Sequence, residues 1–195
     1  MTTALVAEDR TRLRLVQTAA ACFAEHGIQR VSLEEVATRA GMHRTTLHRH
    51  FPGGRDELVL AVLRHESEQV IRTLAAEIAE APSARAAIVS AVAAAVVEGR
   101  RNRVAASLLA ESVTREALFG PDASQLRDMA LDVWRLVGER ADAAGERLAD
   151  VSSDRAMDHV LRVVVSLVSE PGDVRTEEDV RRYAEDFVAP ALIAG

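Results

Sequence analysis

The chain has 195 residues, 48% of them hydrophobic and 28% charged, with a formal net charge of −6. A chain of this length buries roughly 70% of its unfolded surface, so folding requires no disulfide or metal. The lone cysteine, Cys22, excludes an internal disulfide, and the longest uncharged run, Ala86 to Val97, is too short to span a bilayer.

Residues 1–14 lack the apolar core and cleavage site of a secretion signal, so a cytoplasmic protein is expected. All 24 basic residues are arginine. Their placement says more than their total. Residues 1–65 hold nine arginines against seven acids, together with five of the six histidines. Residues 66–195 hold fifteen arginines against twenty-three acids. A mildly basic head on an acidic body suits a head that meets a polyanion.

No stretch alternates with the period of a strand, and an all-α fold is expected. Leu13, Val16, Ala20 and Phe23 predict a helix over 10–26, with Gly27 as its stop. Ser32-Leu33-Glu34-Glu35 reads as a capping box that opens a short second helix, ended by Gly41. A third short helix follows over 44–51, and a long one over 56–81. Further helices are predicted over 83–99, 103–118, 123–148, 153–169 and 176–192, with Pro190 kinking the last. The expected organisation is an N-terminal three-helix domain over 1–55 and a C-terminal helical domain over 56–195.

The informative stretch is Val31 to Leu58. Leu33, Val36, Ala37, Leu47 and Phe51 are spaced to form the small core of two short helices crossing steeply, with Gly41 in the tight turn between them. This is the pattern of a helix-turn-helix, whose second helix enters the DNA major groove. With Leu47 and Phe51 inward, helical spacing turns Thr45, Thr46 and Arg49 outward, with Arg44 and His48 on the flank. No acid interrupts that face. A solvated helix normally mixes signs.

Gly27, Val31-Ser32, Val36-Ala37, Ala40-Gly41-Met42, Thr46 to Phe51 and Pro52 to Leu58 together resemble the DNA-binding domain of the tetracycline-repressor (TetR) family. The motif match covers residues 10–65; beyond them the likeness is one of helical pattern. The resemblance implies a homodimer that represses transcription from a palindromic double-stranded operator and lets go when a small molecule binds the body. It also implies that Arg44, Thr45 and His48 contact bases, and that Ser32, Thr46, Arg49, His50 and Arg55 grip phosphates. Two positions depart from the pattern. His43 stands where the family commonly caps the recognition helix with Ser or Thr, and His48 stands where it usually has Tyr.

In the body, Val180, Tyr183, Ala184, Phe187, Val188 and Leu192 form a stripe at helical spacing, and the helix over 153–169 is apolar around much of its girth. These two helices are the candidate dimer interface, through Val160, Val164, Leu167, Tyr183 and Phe187. Leu108, Met129, Trp134 and Met157 are candidate lining for an effector pocket, with core packing as the competing role. Glu111 and the cluster Arg100, Arg101 and Arg103 are pocket polars or solvated charges. His43, His48 and His50 lack a neighbouring carboxylate or thiolate to complete a metal site, and no nucleophile motif or phosphate loop appears. Neither a cofactor, a metal nor an enzymatic activity is expected. Two other functions compete: a constitutive DNA-binding protein whose body only dimerises, and an enzyme or scaffold that has lost DNA binding.

Overall fold

The computed structural model describes residues 2–109, 116, 119 and 125–194. Helix α1 (Thr2–His26) is followed by a 3-10 turn (Ile28–Arg30), α2 (Leu33–Arg39), α3 (Arg44–His50) and the long α4 (Gly54–Glu80). The body continues with α5 (Ala84–Arg101), α6 (Arg103–Leu109), α7 (Gln125–Ala144) and α8 (Ser153–Ser169). It ends with α9 (Glu177–Tyr183), a π-turn (Ala184–Val188) and α10 (Ala189–Leu192).

Short polar side chains start several of these helices by accepting the amide hydrogen bonds that a first turn leaves open. Ser32, Ser83, Ser152 and Thr176 each accept the backbone N–H three residues on. Thr176 and Asp179 form a reciprocal capping box, and those bonds hold the Asp179 carboxyl below its ordinary range.

The predicted helices over 44–51, 83–99, 153–169 and 176–192 all have counterparts, and α1 starts earlier than the apolar spacing indicated, at Thr2. Beyond Leu109, the predicted helix over 103–118 runs outside the described residues apart from Glu116, as does Glu111. The last helix departs from expectation in form. Pro190 has no N–H to offer, and the backbone ahead of it widens into the π-turn, where Ala189 donates to the Ala184 carbonyl. The chain after α7 then folds back on the C-terminus: Ala149 donates to Leu192 and Ala194 to Arg147, both at 2.9 Å.

The described residues form two hydrophobic cores. The first joins α1, α2 and α3 through Leu15, Phe23, Val36, Leu47 and Phe51, and the first turns of α4 complete it with Leu58, Val59 and Val62. Val104 and Leu108 of α6 also enter this core. Cys22 is buried there as a small apolar residue, and desolvation pushes its thiol above the usual range despite the nearby Arg39 guanidinium. The second core is built from the rest of α4, from α5, and from α7 to α10, around Ile78, Ala93, Val96, Val137 and Val180.

Helices α5 and α8 approach closely at Gly99, where a Cβ would stand 2.9 Å from Val168 Cγ2. Arg100 fixes that crossing. Its Nε and Nη2 donate to the Leu167 carbonyl at 3.1 and 2.8 Å, while Nη2 and Nη1 reach the Val174 and Arg175 carbonyls. A guanidinium thus satisfies carbonyls that the end of α8 and the following loop leave open. Burial lowers the pKa of Arg100, with Asp179 opposing the shift. Arg101, by contrast, is exposed and pairs with Glu98 at 2.9 Å.

Candidate nucleic-acid interface

The interface is built from the turn outward. Ser32 Oγ accepts the Glu35 amide at 3.1 Å and sets the start of α2. At the other end Gly41 adopts φ +67°, with Gly41 N–H to Thr38 and Met42 N–H to the Ala37 carbonyl, each 2.9 Å. These two bonds make a Schellman motif, which reverses the chain within one residue and needs a left-handed conformation that glycine adopts at least cost. His43, extended at φ −75° and ψ 148°, then opens α3 with no side-chain cap.

Leu47 and Phe51 are completely buried and pin α3 onto α1, α2 and α4. Arg12 of α1 lies over the Phe51 ring, 4.7 Å from its centroid, and Arg12 also faces Glu57 at 3.8 Å. With that face fixed, Arg44, Thr45, His48 and Arg49 are exposed. Arg44 Nε donates to His48 Nε2 at 3.3 Å, one turn along the helix, which holds the two donors side by side. Neither Arg44 nor Arg49 has a carboxylate partner among the described residues, while Arg39 just behind is taken up by Glu25. Outward α3 is therefore a row of hydrogen-bond donors with uncompensated positive charge.

The other residues expected at DNA fall less uniformly. Ser32 is exposed, and Thr46 is half-buried. His50 is buried, and its Nε2 has no hydrogen-bond partner among the described residues. Arg55 is half-buried and donates from Nη2 to the Ile28 carbonyl at 2.8 Å, fastening the first turn of α4 to the 3-10 turn. Arg55 thus braces the framework beneath α3, and His50 lies on the inward side of that helix.

Residues 15–62 match the family described as bacterial regulatory proteins, tetR family. The matched segment runs from within α1 to the first turns of α4. Over 52 residues, this chain is 36% identical to uncharacterised HTH-type transcriptional regulators of Mycobacterium tuberculosis and Mycobacterium bovis. That stretch is 27% of this chain and 28% of each relative, so the chain spans little more than a quarter of the curated relatives it matches.

The fold of the whole is similar to solved TetR-family structures. With the repressor AlkX of Dietzia sp. strain DQ12-45-1b the TM-score is 0.67 at 19% identity, covering 92% of this chain and 93% of that one. With GusR of Salmonella enterica it is 0.66 at 22% identity, covering 94% and 95%. With SmeT of Stenotrophomonas maltophilia, the repressor of a multidrug efflux pump, it is 0.59 at 20% identity, covering 94% and 90%. Those likenesses establish the fold.

In the body, the structure opens a cavity of about 180 Å³ between α4, α5, α7 and α8. Met129 and Met157 line it. Leu108 and Trp134 do not: Leu108 is packed in the head core and Trp134 in the body core. The cavity wall also draws on Ser67, Val70 and Ile71 of α4 and Ala95 of α5, which sequence reasoning missed. A stripe of alanines and valines carries no signal that separates lining from packing.

Of the candidate interface residues, Val160 and Val164 line this cavity and Leu167 is buried in the body core. The rings of Tyr183 and Phe187 meet at a tilt of 48°, with centroids 5.0 Å apart. Phe187 is 63% exposed, a large ring left in water by the single protomer.

Proposed function

We propose that this TetR-family regulator is a cytoplasmic homodimeric repressor that reads a palindromic double-stranded operator with α3 and releases it when a small molecule enters the body. The row of exposed donors on α3, Arg44, Thr45, His48 and Arg49, with no acid among them, carries this reading. In a helix-turn-helix such donors meet base edges and phosphates in the major groove. Residues 1–55 form the reading head, 56–195 the regulatory body, and the chain acts by binding rather than catalysis.

The cavity supports release by an effector over constitutive binding. Two elements run from its wall to the head. Leu63 of α4 lines the cavity and belongs to the head core. On α6, Ala105 lines the cavity while Val104 and Leu108 enter the head core. A ligand that favours one arrangement of these helices would bias the spacing of the two reading heads, and operator would oppose ligand by the same factor.

Selection of duplexes from a random-sequence library, using the full chain at about 0.15 M salt, tests the proposal. Recovered sequences should share an inverted repeat with half-sites about 34–36 Å apart, one helical turn or a multiple of it. A pool with no shared motif would remove sequence-specific DNA binding from the account.

A further inference from the structure

We infer that the effector is an uncharged, mainly aliphatic molecule of roughly six to eight carbon atoms with a single hydroxyl or carbonyl group. The inference rests on the reading of the body as an effector-binding unit and deepens it. It follows from what the cavity wall contains. Ile71, Ala95, Met129, Met157, Val160 and Val164 represent a lining that is aliphatic or thioether throughout. Among the described residues it includes no aromatic ring and no ionisable group. Ser67 of α4 supplies the only side-chain hydroxyl among these described lining residues.

Each absence selects against a ligand class. A carboxylate or ammonium held against this wall would find no charged partner among the described residues and would lose hydration without compensation. A polyol or sugar would leave most of its hydroxyls unsatisfied against this wall. A flat aromatic ligand would gain no stacking. An alkyl chain loses nothing by leaving water, and the two methionines adapt to its shape. One hydroxyl or carbonyl oxygen can exchange a hydrogen bond with Ser67.

Size comes from the same wall. Ala91 and Ala95 face the cavity from α5 and leave the space that larger residues would fill. An apolar cavity of about 150 Å³ accepts a benzene-sized guest, so one of about 180 Å³ takes a slightly larger one.

The test is calorimetric titration of the full-length protein with 1-alkanols from butanol to dodecanol, and with octanoate. Affinity should rise about fourfold per methylene until the cavity is full, and octanoate should bind roughly a hundredfold or more weakly than 1-octanol. Ser67→Ala should weaken 1-octanol by about 3- to 10-fold and leave n-hexane unchanged. Ala95→Phe, shown to be folded by its circular dichroism and its retained DNA binding, should abolish the whole series by filling the space.

Failure to bind any alkanol would overturn the inference, as would octanoate binding as tightly as 1-octanol. Binding seen only after the subunits are separated would also overturn it, by assigning the wall to contact with a second copy. Alkanol binding with unchanged affinity for the selected operator would uphold the ligand class and overturn release by ligand. The two readings therefore fail separately.

Discussion

Replacing Phe51 with Ala should destabilise the head by about 3–5 kcal/mol, the range for removing a buried aromatic side chain from a packed core. Phe51 is completely buried, forms the C-cap of α3, and packs with Leu47, Val36 and Leu58 in the head core. The ring therefore joins the reading helix to α4, and Arg12 on its face adds a cation–π contact that the substitution also removes. For a chain of this size, each kcal/mol shifts Tm by about 2–4 °C. Thermal unfolding followed by circular dichroism should show a drop of roughly 6–20 °C, with DNA affinity lost at temperatures where the body stays folded. The exposed Leu13 on α1 provides a control, because Leu13→Ala should stay within about 0.5 kcal/mol of the parent. A Phe51→Ala protein as stable as that control would mean that α3 is not anchored through this ring.

Phe187→Arg should separate the subunits and reduce operator affinity by roughly 10²–10⁴-fold, the gain that linking two half-site contacts ordinarily provides. The substitution isolates the subunit contact because Phe187 is largely exposed in the protomer. Its removal opens no internal void, and the protomer should lose little stability of its own. In a dimer the arginine would sit buried and without a partner, at a cost the interface cannot absorb. Val164 is a poorer probe because it lines the cavity. Light scattering should report a monomer, with α1 to α3 unaltered. A protein that remains dimeric would place the interface on another face.

The head was legible because its signals are local. The Ser32 cap, the glycine at 41 and the spacing of Val36, Ala37, Leu47 and Phe51 each act within a few residues, and all of them appear in the structure. His50 shows where resemblance and spacing diverge. It lies three residues after Leu47 and therefore shares the inward side of α3, and the structure buries it. Other features were hidden for physical reasons. Arg100 bonds to carbonyls 67 to 75 residues away, and a backbone acceptor leaves no trace in side-chain identity. The π-turn over 184–188 shifts the later side chains around the axis, so one stripe drawn through Val180 to Leu192 cannot describe a single face. The cavity depends on which small residues leave space uncovered, and periodicity does not encode that.

Recognition of sequence by α3 is tested most directly by the Arg44→Ala protein. Its affinity should be measured beside the parent on a selected operator and on a scrambled duplex, at one fixed salt concentration. Loss of a base contact should cost about 1–3 kcal/mol per half-site on the operator, relax the preference at one base position, and leave the scrambled duplex nearly unchanged. Equal losses on both duplexes would reduce Arg44 to a phosphate contact and contradict base reading by this helix.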